Sequence, residues 1–430
     1  MSSMLRPPKT KSVKCIIRHF APAWFAAIMG TGAISILFFN FPYATGSIPL
    51  KTFTYIFFIL NLILFSLFSL ITIARYVLFP DIWTIMIRHP VQSLYLGCYP
   101  MGATTLINIG LAQVYETDKI GGKGLLYVLW ACWWICVALS FMCAIVLVHI
   151  MKTKQDHAFS RMSAIWLLPV VTLIVSSSTG GILAPALLPF STTHALVTLT
   201  VSACMVSIGL ALAFMILTAY YVRLICYGLP PGPGVMSVFV PLGPMGQGGY
   251  SILLLGKNLK NILPIDHGRS EILQAQATGA TINVICLVVA VVLWALASMW
   301  MLFAMLALLE VLPSSKFPFR VPFWGLIFPN GVYANLTIQL YVVLDSSFFR
   351  VWGSIYSAFT LTLWCYVFLQ TVRYVWNGEI FEAPCLDEDP SERSSKASAP
   401  RASCIRSSSS RSYAYSSDSR TTARAPIPTT

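Results

Sequence analysis

The long apolar stretches of the sequence carry neutral polar side chains beside glycine and proline. We interpret seven of these residues as lining a path through the protein: Gly30, Thr31, Thr104, Asn108, Gln247, Asn330 and Asn335. Hydroxyl and amide groups exchange hydrogen bonds without carrying a charge. These residue types predict passage of a small polar solute. The apolar stretches contain no His/Asp/Glu or Cys constellation that would indicate an enzyme, a metal site or a cofactor site.

Prolines in the same stretches predict broken helices. Proline lacks the backbone N–H donor and clashes with the carbonyl four residues earlier, so we expect breaks at Pro100, Pro169, Pro244 and Pro329. Unpaired amides at the start of a half-helix carry partial positive charge. Every Asp and Glu lies in a loop, in the tail or at a segment end, so the acidic ring of a cation pore is missing. The sequence favours an anion as the solute.

The composition assigns these stretches to a membrane. Of 430 residues, 57% are hydrophobic and 10% are charged, whereas charged residues make up about a quarter of a soluble domain. A run of about 20 apolar residues crosses the hydrocarbon core. We find ten such runs, at 22–40, 52–74, 91–114, 125–150, 162–178, 190–222, 235–256, 272–309, 321–344 and 351–375. The sequence predicts an all-α, polytopic membrane protein with ten transmembrane helices.

The four expected breaks fall only in odd-numbered runs, and the even-numbered runs contain no proline. Freed backbone groups are tolerated at membrane depth only where protein or a water-filled cavity satisfies them. We therefore predict five helical hairpins, with an inner ring of kinked odd helices around a central pore and an outer ring of even helices. For any single Gly-Pro cluster, close helix packing is the alternative.

Basic residues predict the orientation. With both termini in the cytosol, the short flanks carry 14 Lys and Arg inside against 7 outside, as the positive-inside rule requires. We predict a basic cytoplasmic N-terminus at 1–18, a transmembrane transporter domain at 19–376 and a disordered Ser/Arg-rich cytoplasmic tail at 377–430. Serines beside arginines, such as Ser407 and Ser410, are candidates for phosphorylation, and an inert tail is the alternative.

Other candidate sites are set aside. Most cysteines lie inside apolar runs, so a disulfide framework is not expected. His194, near the start of the sixth run, is interpreted as a structural histidine. The glycine-rich segments follow no strand of a βαβ unit and are not interpreted as nucleotide loops. The expected partners are a small anion and membrane lipid, with no nucleic acid.

Three sequence segments resemble those of one family. The segment Arg18-His19-Phe20-Ala21-Pro22-Ala23-Trp24-Phe25, then Met29-Gly30-Thr31-Gly32 and Asn40-Phe41-Pro42-Tyr43, is similar to the opening of fungal sulfite efflux pumps. These pumps belong to the tellurite-resistance and dicarboxylate transporter family, which includes plant slow anion channels and fungal malate permeases. The resemblance covers about 18–376.

The resemblance implies ten helices in five hairpins around a pore, usually in a homotrimer. It also implies a gate at Phe328, in Ile327-Phe328-Pro329, where channel members place a pore-plugging phenylalanine. The expected function is channel-like sulfite (bisulfite) efflux across the plasma membrane. A dicarboxylate (malate) permease or another small-anion channel is the alternative.

Overall fold

The structure of the protein is a computed structural model that describes residues 12–230, 232–265, 270–311, 319–377, 380–381 and 386. Within these ranges every regular element is a helix. The α-helices are α1 (Val13–Arg18), α2 (Phe25–Phe39), α3 (Ile48–Leu78), α4 (Asp81–Arg88), α5 (Cys98–Ile109), α6 (Gly122–Phe141), α7 (Val148–Lys154), α8 (Leu168–Leu187), α9 (Thr192–Tyr227), α10 (Leu242–Ile262), α11 (Glu271–Gln274), α12 (Gln276–Val311), α13 (Ile327–Leu344) and α14 (Ser347–Trp376).

Shorter helical segments extend several of these helices. A π-helical segment, Gly110–Thr117, continues α5, and another, Met142–Leu147, joins α6 to α7. Segments of 3-10 helix precede the five helices α2, α5, α8, α10 and α13; they are Pro22–Trp24, Ser93–Gly97, Ala164–Leu167, Gly232–Phe239 and Val321–Leu326.

The predicted all-α, polytopic membrane fold is confirmed. In the described part of the chain, nine helices are long and apolar enough to cross a membrane. They coincide with nine of the ten predicted runs. The remaining run, 91–114, falls on Ser93–Thr117, which changes from 3-10 to α to π helix and carries several polar residues. The count of ten crossings stays a prediction.

The membrane helices fall into a buried and an exposed set, in alternation along the chain. In α2, α8, α10 and α13, 78–89% of the most apolar window is buried. In α3, α6 with α7, α9, α12 and α14 the share is only 17–39%. Most of α5 is also buried. We call α2, α5 with its π continuation, α8, α10 and α13 the inner helices, and the other set the outer helices.

The prolines lie where the inner helices change type. Pro100, Pro244 and Pro329 occupy the first turns of α5, α10 and α13, and Pro169 is near the start of α8. In a first turn the missing N–H removes no helical hydrogen bond. The predicted breaks are therefore junctions between 3-10 and α-helix rather than kinks in the middle of α-helices.

Tryptophan side chains of outer helices donate hydrogen bonds to inner helices. The indole of Trp133 donates to the carbonyl of Ser176 at 2.8 Å, and that of Trp294 donates to the Thr337 hydroxyl at 2.9 Å. Each inner helix also packs against the outer helix that follows it in the chain. Since hydrocarbon offers backbone and hydroxyl groups no partner, these bonds attach the outer helices to the inner set.

Both chain ends extend beyond the membrane helices. Residues 12–18 include the short helix α1, and the rest of the predicted N-terminal segment lies outside the described residues. After Trp376, Ile380 and Leu386 are buried and the ring of Phe381 stacks on Trp24 with a centroid separation of 5.7 Å. The predicted disordered tail is 377–430, and of it the structure describes residues 377, 380–381 and 386.

Candidate functional site

A cavity of about 310 Å³ lies between the inner helices. All its lining residues in the described chain come from the five inner helices or the residue that directly follows one: Ala33, Ile36, Phe39, Asn40, Thr105, Asn108, Ile109, Ala112, Glu116, Val175, Gly181, Ile182, Pro185, Gln247, Tyr250, Leu254, Lys257, Asn258, Asn261, Phe328, Gly331, Val332, Asn335 and Gln339. The outer helices contribute none of these side chains.

One end of the cavity, which we call the floor, lies at the beginnings of the inner helices. Phe328 belongs to the first turn of α13, and Gln247 to the second turn of α10. Val175 and Val332 complete this end, and all four side chains are buried. Phe328 is only 5% exposed. An aromatic ring and two valines therefore form a buried, mostly apolar end to a cavity that is otherwise rich in amides.

Gln247 is held in place by α8. Its Nε2 donates a hydrogen bond to Ser178 Oγ, and Ser178 Oγ donates to the carbonyl of Val175 at 2.8 Å. An amide nitrogen has two hydrogens, so the bond to Ser178 leaves one for a solute. The arrangement presents a donor without a counter-charge just above the floor.

Two other amides connect inner helices within the cavity wall. Asn40 Nδ2 donates to Asn335 Oδ1 at 2.8 Å, which joins the end of α2 to α13. Asn258 Nδ2 donates to the carbonyl of Gly181 at 2.6 Å, which joins α10 to α8. These bonds fix the cavity wall and use part of its hydrogen-bonding capacity.

Asn108 differs from the other cavity amides. It is 6% exposed, and its Oδ1 has no hydrogen-bond partner among the described residues. A buried amide oxygen without a partner costs free energy. Such exceptions are concentrated where water, an ion or a functional role accounts for them. Asn108 is therefore a candidate contact for a molecule in the cavity.

The opposite end, which we call the mouth, lies at the ends of the inner helices. Its side chains include Glu116, Lys257 and Asn261, all exposed. A second pocket of about 540 Å³ adjoins the mouth and shares Phe39, Asn40 and Gln339 with the cavity. The mouth is polar and open to solvent, whereas the floor is buried.

Asn108, Gln247, Asn335 and Phe328, four of the residues singled out in the sequence, line the same cavity. Their roles as pore and gate residues stay predictions. The interpretation depended on polarity and on the resemblance, and the structure brings these four side chains together from α5, α10 and α13.

Four other predicted pore residues lie in helix contacts instead of lining this cavity. A Cβ on Gly30 would come within 3.0 Å of Ile327 Cβ, so Gly30 permits close packing of α2 on α13. Thr31 accepts a hydrogen bond from the Trp364 indole at 3.1 Å. We assign both residues to helix packing, because their side-chain positions face neighbouring helices.

Thr104 and Asn330 are likewise engaged elsewhere. The Thr104 hydroxyl donates to the Met101 carbonyl at 2.7 Å. Asn330 Nδ2 donates to the Leu326 carbonyl at 2.7 Å, and its Oδ1 accepts from the Tyr356 hydroxyl at 2.6 Å. Both side chains are fully buried, and we assign them to helix packing as well.

Sequence reasoning missed most of the mouth. Lys257 is counted there only among the seven basic residues of the external flanks, and Glu116 only among the acids placed in loops. A signal was present: residues 247, 250, 254, 257, 258 and 261 repeat every three or four positions, which places them on one face of α10. Following this face of α10 from Gln247 toward the end of the helix identifies Tyr250, Lys257 and Asn261.

His194 lies apart from the cavity. Its Nδ1 is 3.1 Å from the Tyr127 hydroxyl, and its ring lies 4.7 Å from that of Trp130. Both partners belong to the outer helix α6, so His194 joins two outer helices.

Comparison with known proteins identifies the family. A family model described as voltage-dependent anion channel matches residues 19–372. The chain belongs to the voltage-dependent anion channel family. Membership explains the combination of many apolar helices with a polar cavity, and it places the chain among transporters and channels.

Curated relatives include transporters from several fungi. The chain is 34% identical over 365 residues to a sulfite efflux pump of Trichophyton rubrum, covering 85% of this chain and 93% of the relative. It is 24% identical to the sulfite efflux pump of Saccharomyces cerevisiae, covering 80% and 85%. It is 21% identical to the malic acid transport protein of Schizosaccharomyces pombe, covering 83% and 78%. The resemblance to sulfite efflux pumps is confirmed.

Proposed function

We propose that this protein exports sulfite across the plasma membrane by channel-like permeation through the cavity. The observation that carries the proposal is that Asn108, Gln247 and Asn335 line one cavity with Phe328 at its buried end. Neutral amides bind an anion loosely enough to release it, as conduction requires. The identity to relatives named as sulfite efflux pumps supports sulfite as the solute.

The proposed path runs from the cytosol past Phe328 to the mouth. Phe328 acts as the gate, and the amides above it replace part of the anion's hydration shell. A membrane potential that is negative inside drives a monoanion outward with about 2.3 kcal/mol per 100 mV. Sulfite exchanges between monoanion and dianion near neutral pH, and the monoanion is less costly to desolvate.

The wider arrangement is part of the proposal. Ten helices form five hairpins around the cavity, both termini lie in the cytosol, and the chain assembles as a homo-oligomer, a trimer by analogy with the family. The transporter domain is taken as 19–376. The alternation of buried and exposed helices supports the ring. The excess of basic residues in the flanks on the same side of the membrane as the N-terminus supports the orientation.

A dicarboxylate permease is the second candidate, because the malic acid transport protein of Schizosaccharomyces pombe is also similar to the chain. Two carboxylates are usually bound by paired cationic groups. The described cavity lining contains one basic side chain, Lys257. The cavity therefore suits a small monoanion better than a dicarboxylate.

The test is sulfite efflux from liposomes that contain the purified protein, under an imposed potential. We expect sulfite release that increases with the potential, is absent from empty liposomes and is not inhibited by excess malate. Malate transport that competes with sulfite would support the permease instead. The absence of sulfite flux at any potential would contradict the proposal.

A further inference from the structure

The mouth of the cavity contains two charged side chains of opposite sign. Glu116 lies on the π-helical continuation of α5, and Lys257 lies near the end of α10. They are the only charged residues among the described side chains that line the cavity. Both are exposed, so each can exchange protons and ions with the solution at the mouth.

An anion at the mouth meets an unfavourable backbone field. The inner helices α2, α8, α10 and α13 end on this side, as the lining positions Phe39, Pro185, Asn261 and Gln339 show. The carboxyl end of a helix carries about half a negative elementary charge. Among the described residues that line the cavity, Lys257 is the one positive side chain, and a charge at the opening of a cleft acts on ions there.

Glu116 opposes Lys257. The carboxylate interacts electrostatically with Lys257 on α10 and with Lys119 just beyond its own helix, and it also influences the Tyr250 hydroxyl on α10. A tyrosine hydroxyl stays neutral at physiological pH and lysines stay charged. Glu116 is therefore the one group of this set whose charge changes between mildly acidic and neutral solution.

We infer that Lys257 attracts the permeating anion to the mouth, and that Glu116 is its titratable counter-charge. The inference rests on the proposed function, since it assumes that anions pass through this cavity. At neutral pH the ionised Glu116 cancels much of the field of Lys257. Protonation of Glu116 leaves Lys257 unopposed, so anion flux increases as the pH at the mouth falls.

The test measures sulfite currents across the plasma membrane of cells that express the full chain, with the internal pH constant and the external pH stepped from 7 to 4. Constant internal pH keeps the protonation of exported sulfite unchanged. For the wild type we expect flux to rise about threefold over the step, the effect of one unit charge a few ångströms away in a hydrated opening. Currents are normalised to protein at the cell surface.

The two residues have different signatures. Glu116→Gln should give the acidic level of flux at every external pH and abolish the pH dependence. Lys257→Gln should lower flux about threefold at every pH while keeping the pH dependence. Lys257→Arg keeps the charge and should restore wild-type flux, which separates charge from packing.

Matched controls lie on the same face of the protein. Lys260, three residues beyond Lys257 on α10, and Glu271 on α11 are exposed and do not line the cavity. Lys260→Gln and Glu271→Gln should leave both the flux and its pH dependence unchanged. If these controls change flux as much as the mouth variants do, the changes come from surface charge in general, and the inference about Lys257 and Glu116 is overturned.

Unchanged flux in Lys257→Gln, or a pH dependence that persists in Glu116→Gln, would overturn the inference. The same cells are tested with nitrate in place of sulfite. Nitrate currents that depend on Lys257 and Glu116, with no sulfite current, would support the mouth assignment and contradict sulfite as the solute. Sulfite currents that are unaffected by substitution of Lys257 or Glu116 would support sulfite as the solute and contradict the assignment of the mouth.

Discussion

The floor and the mouth of the cavity differ in chemistry although the same five helices build both. The floor is buried and mostly apolar, with Phe328 and Val175 beside a single amide, Gln247. The mouth is exposed and carries Glu116 and Lys257. A barrier that requires an anion to lose water belongs at the floor, and control of local anion concentration belongs at the mouth. Changes at the floor should therefore affect flux more than changes at the mouth.

Removing the Phe328 ring should have the largest effect. Phe328→Ala widens the floor, and we expect sulfite flux to rise about tenfold, which corresponds to a barrier lower by ~1.4 kcal/mol. The measurement is efflux from liposomes at fixed potential.

A matched control is Phe57→Ala. Phe57 is also buried, but it lies on α3 against Phe38 and Trp364 and does not line the cavity. We expect this variant to lose stability without gaining flux. Equal flux in Phe328→Ala and the wild type would show that Phe328 is a packing residue and not the gate.

Removing the floor amide should have a smaller and opposite effect. Gln247→Leu takes away the free donor hydrogen, while Ser178 keeps its bond to the Val175 carbonyl. We expect sulfite flux to fall about threefold, as for the loss of one modest hydrogen bond of ~0.7 kcal/mol. Gln276→Leu, at the exposed start of α12, should leave flux unchanged. Wild-type flux in Gln247→Leu would show that this amide does not contact the permeating anion.

Asn330 tests whether position, rather than polarity, defines the floor. It lies two residues from Phe328 on α13 but bonds to Leu326 and Tyr356, outside the cavity lining. Asn330→Ala should lower the free energy of unfolding by about 1–3 kcal/mol, because it leaves buried groups unpaired. Flux per folded molecule should stay within about twofold of the wild type, since no hydrogen bond to the anion is lost. A change in anion selectivity would contradict the assignment to packing.

Asp118, beyond the mouth, should have the smallest effect. Hydrogen bonds from the Tyr55 hydroxyl and from Gln113 Nε2, the latter at 2.9 Å, lower the pKa of its carboxyl. A lowered pKa stabilises the fold above the unfolded-state pKa, and this stability is lost as pH falls through the folded-state pKa. Asp118→Asn should cost about 0.5 kcal/mol at pH 7, because the group is solvated.

The pH dependence checks the sign of this effect. As the pH falls through the folded-state pKa of Asp118 the wild-type carboxyl becomes protonated too, so the difference in Tm between Asp118→Asn and the wild type should vanish. Thermal unfolding in detergent at pH 7 and at low pH measures it. A difference that is larger in acid would show that the hydrogen bonds do not favour the ionised carboxyl.

Much of the fold was predictable because membrane helices are continuous apolar runs, which hydrophobicity locates along the chain. The fifth run shows the limit. It was predicted to end at residue 178, but α8 continues through Gly180 and Pro185 to Leu187. Close packing decides this extension: a Cβ on Gly180 would come within 2.7 Å of Trp133, and a Cβ on Gly181 within 3.0 Å of Leu254.

The site was less predictable, because the inner helices are buried on every side and show no polar face. Polarity identified Gln247 and Asn335 but equally suggested Thr31 and Asn330, whose groups bond to Trp364 and Tyr356 of α14. Except where α10 reaches the exposed mouth, a local sequence pattern does not show which face of an inner helix meets the cavity. Contacts between residues separated by as many as 333 positions decide it.

If the anion passes through this cavity, a bulky group attached to its wall should block efflux. Leu254 lines the cavity and its neighbour Leu255 does not, so Leu254→Cys and Leu255→Cys form a matched pair. Cells are labelled from outside with a membrane-impermeant maleimide and washed before sulfite efflux is measured. We expect labelling to abolish efflux in Leu254→Cys and to leave efflux unchanged in Leu255→Cys and the wild type. Full efflux through labelled Leu254→Cys would contradict passage of the anion through this cavity.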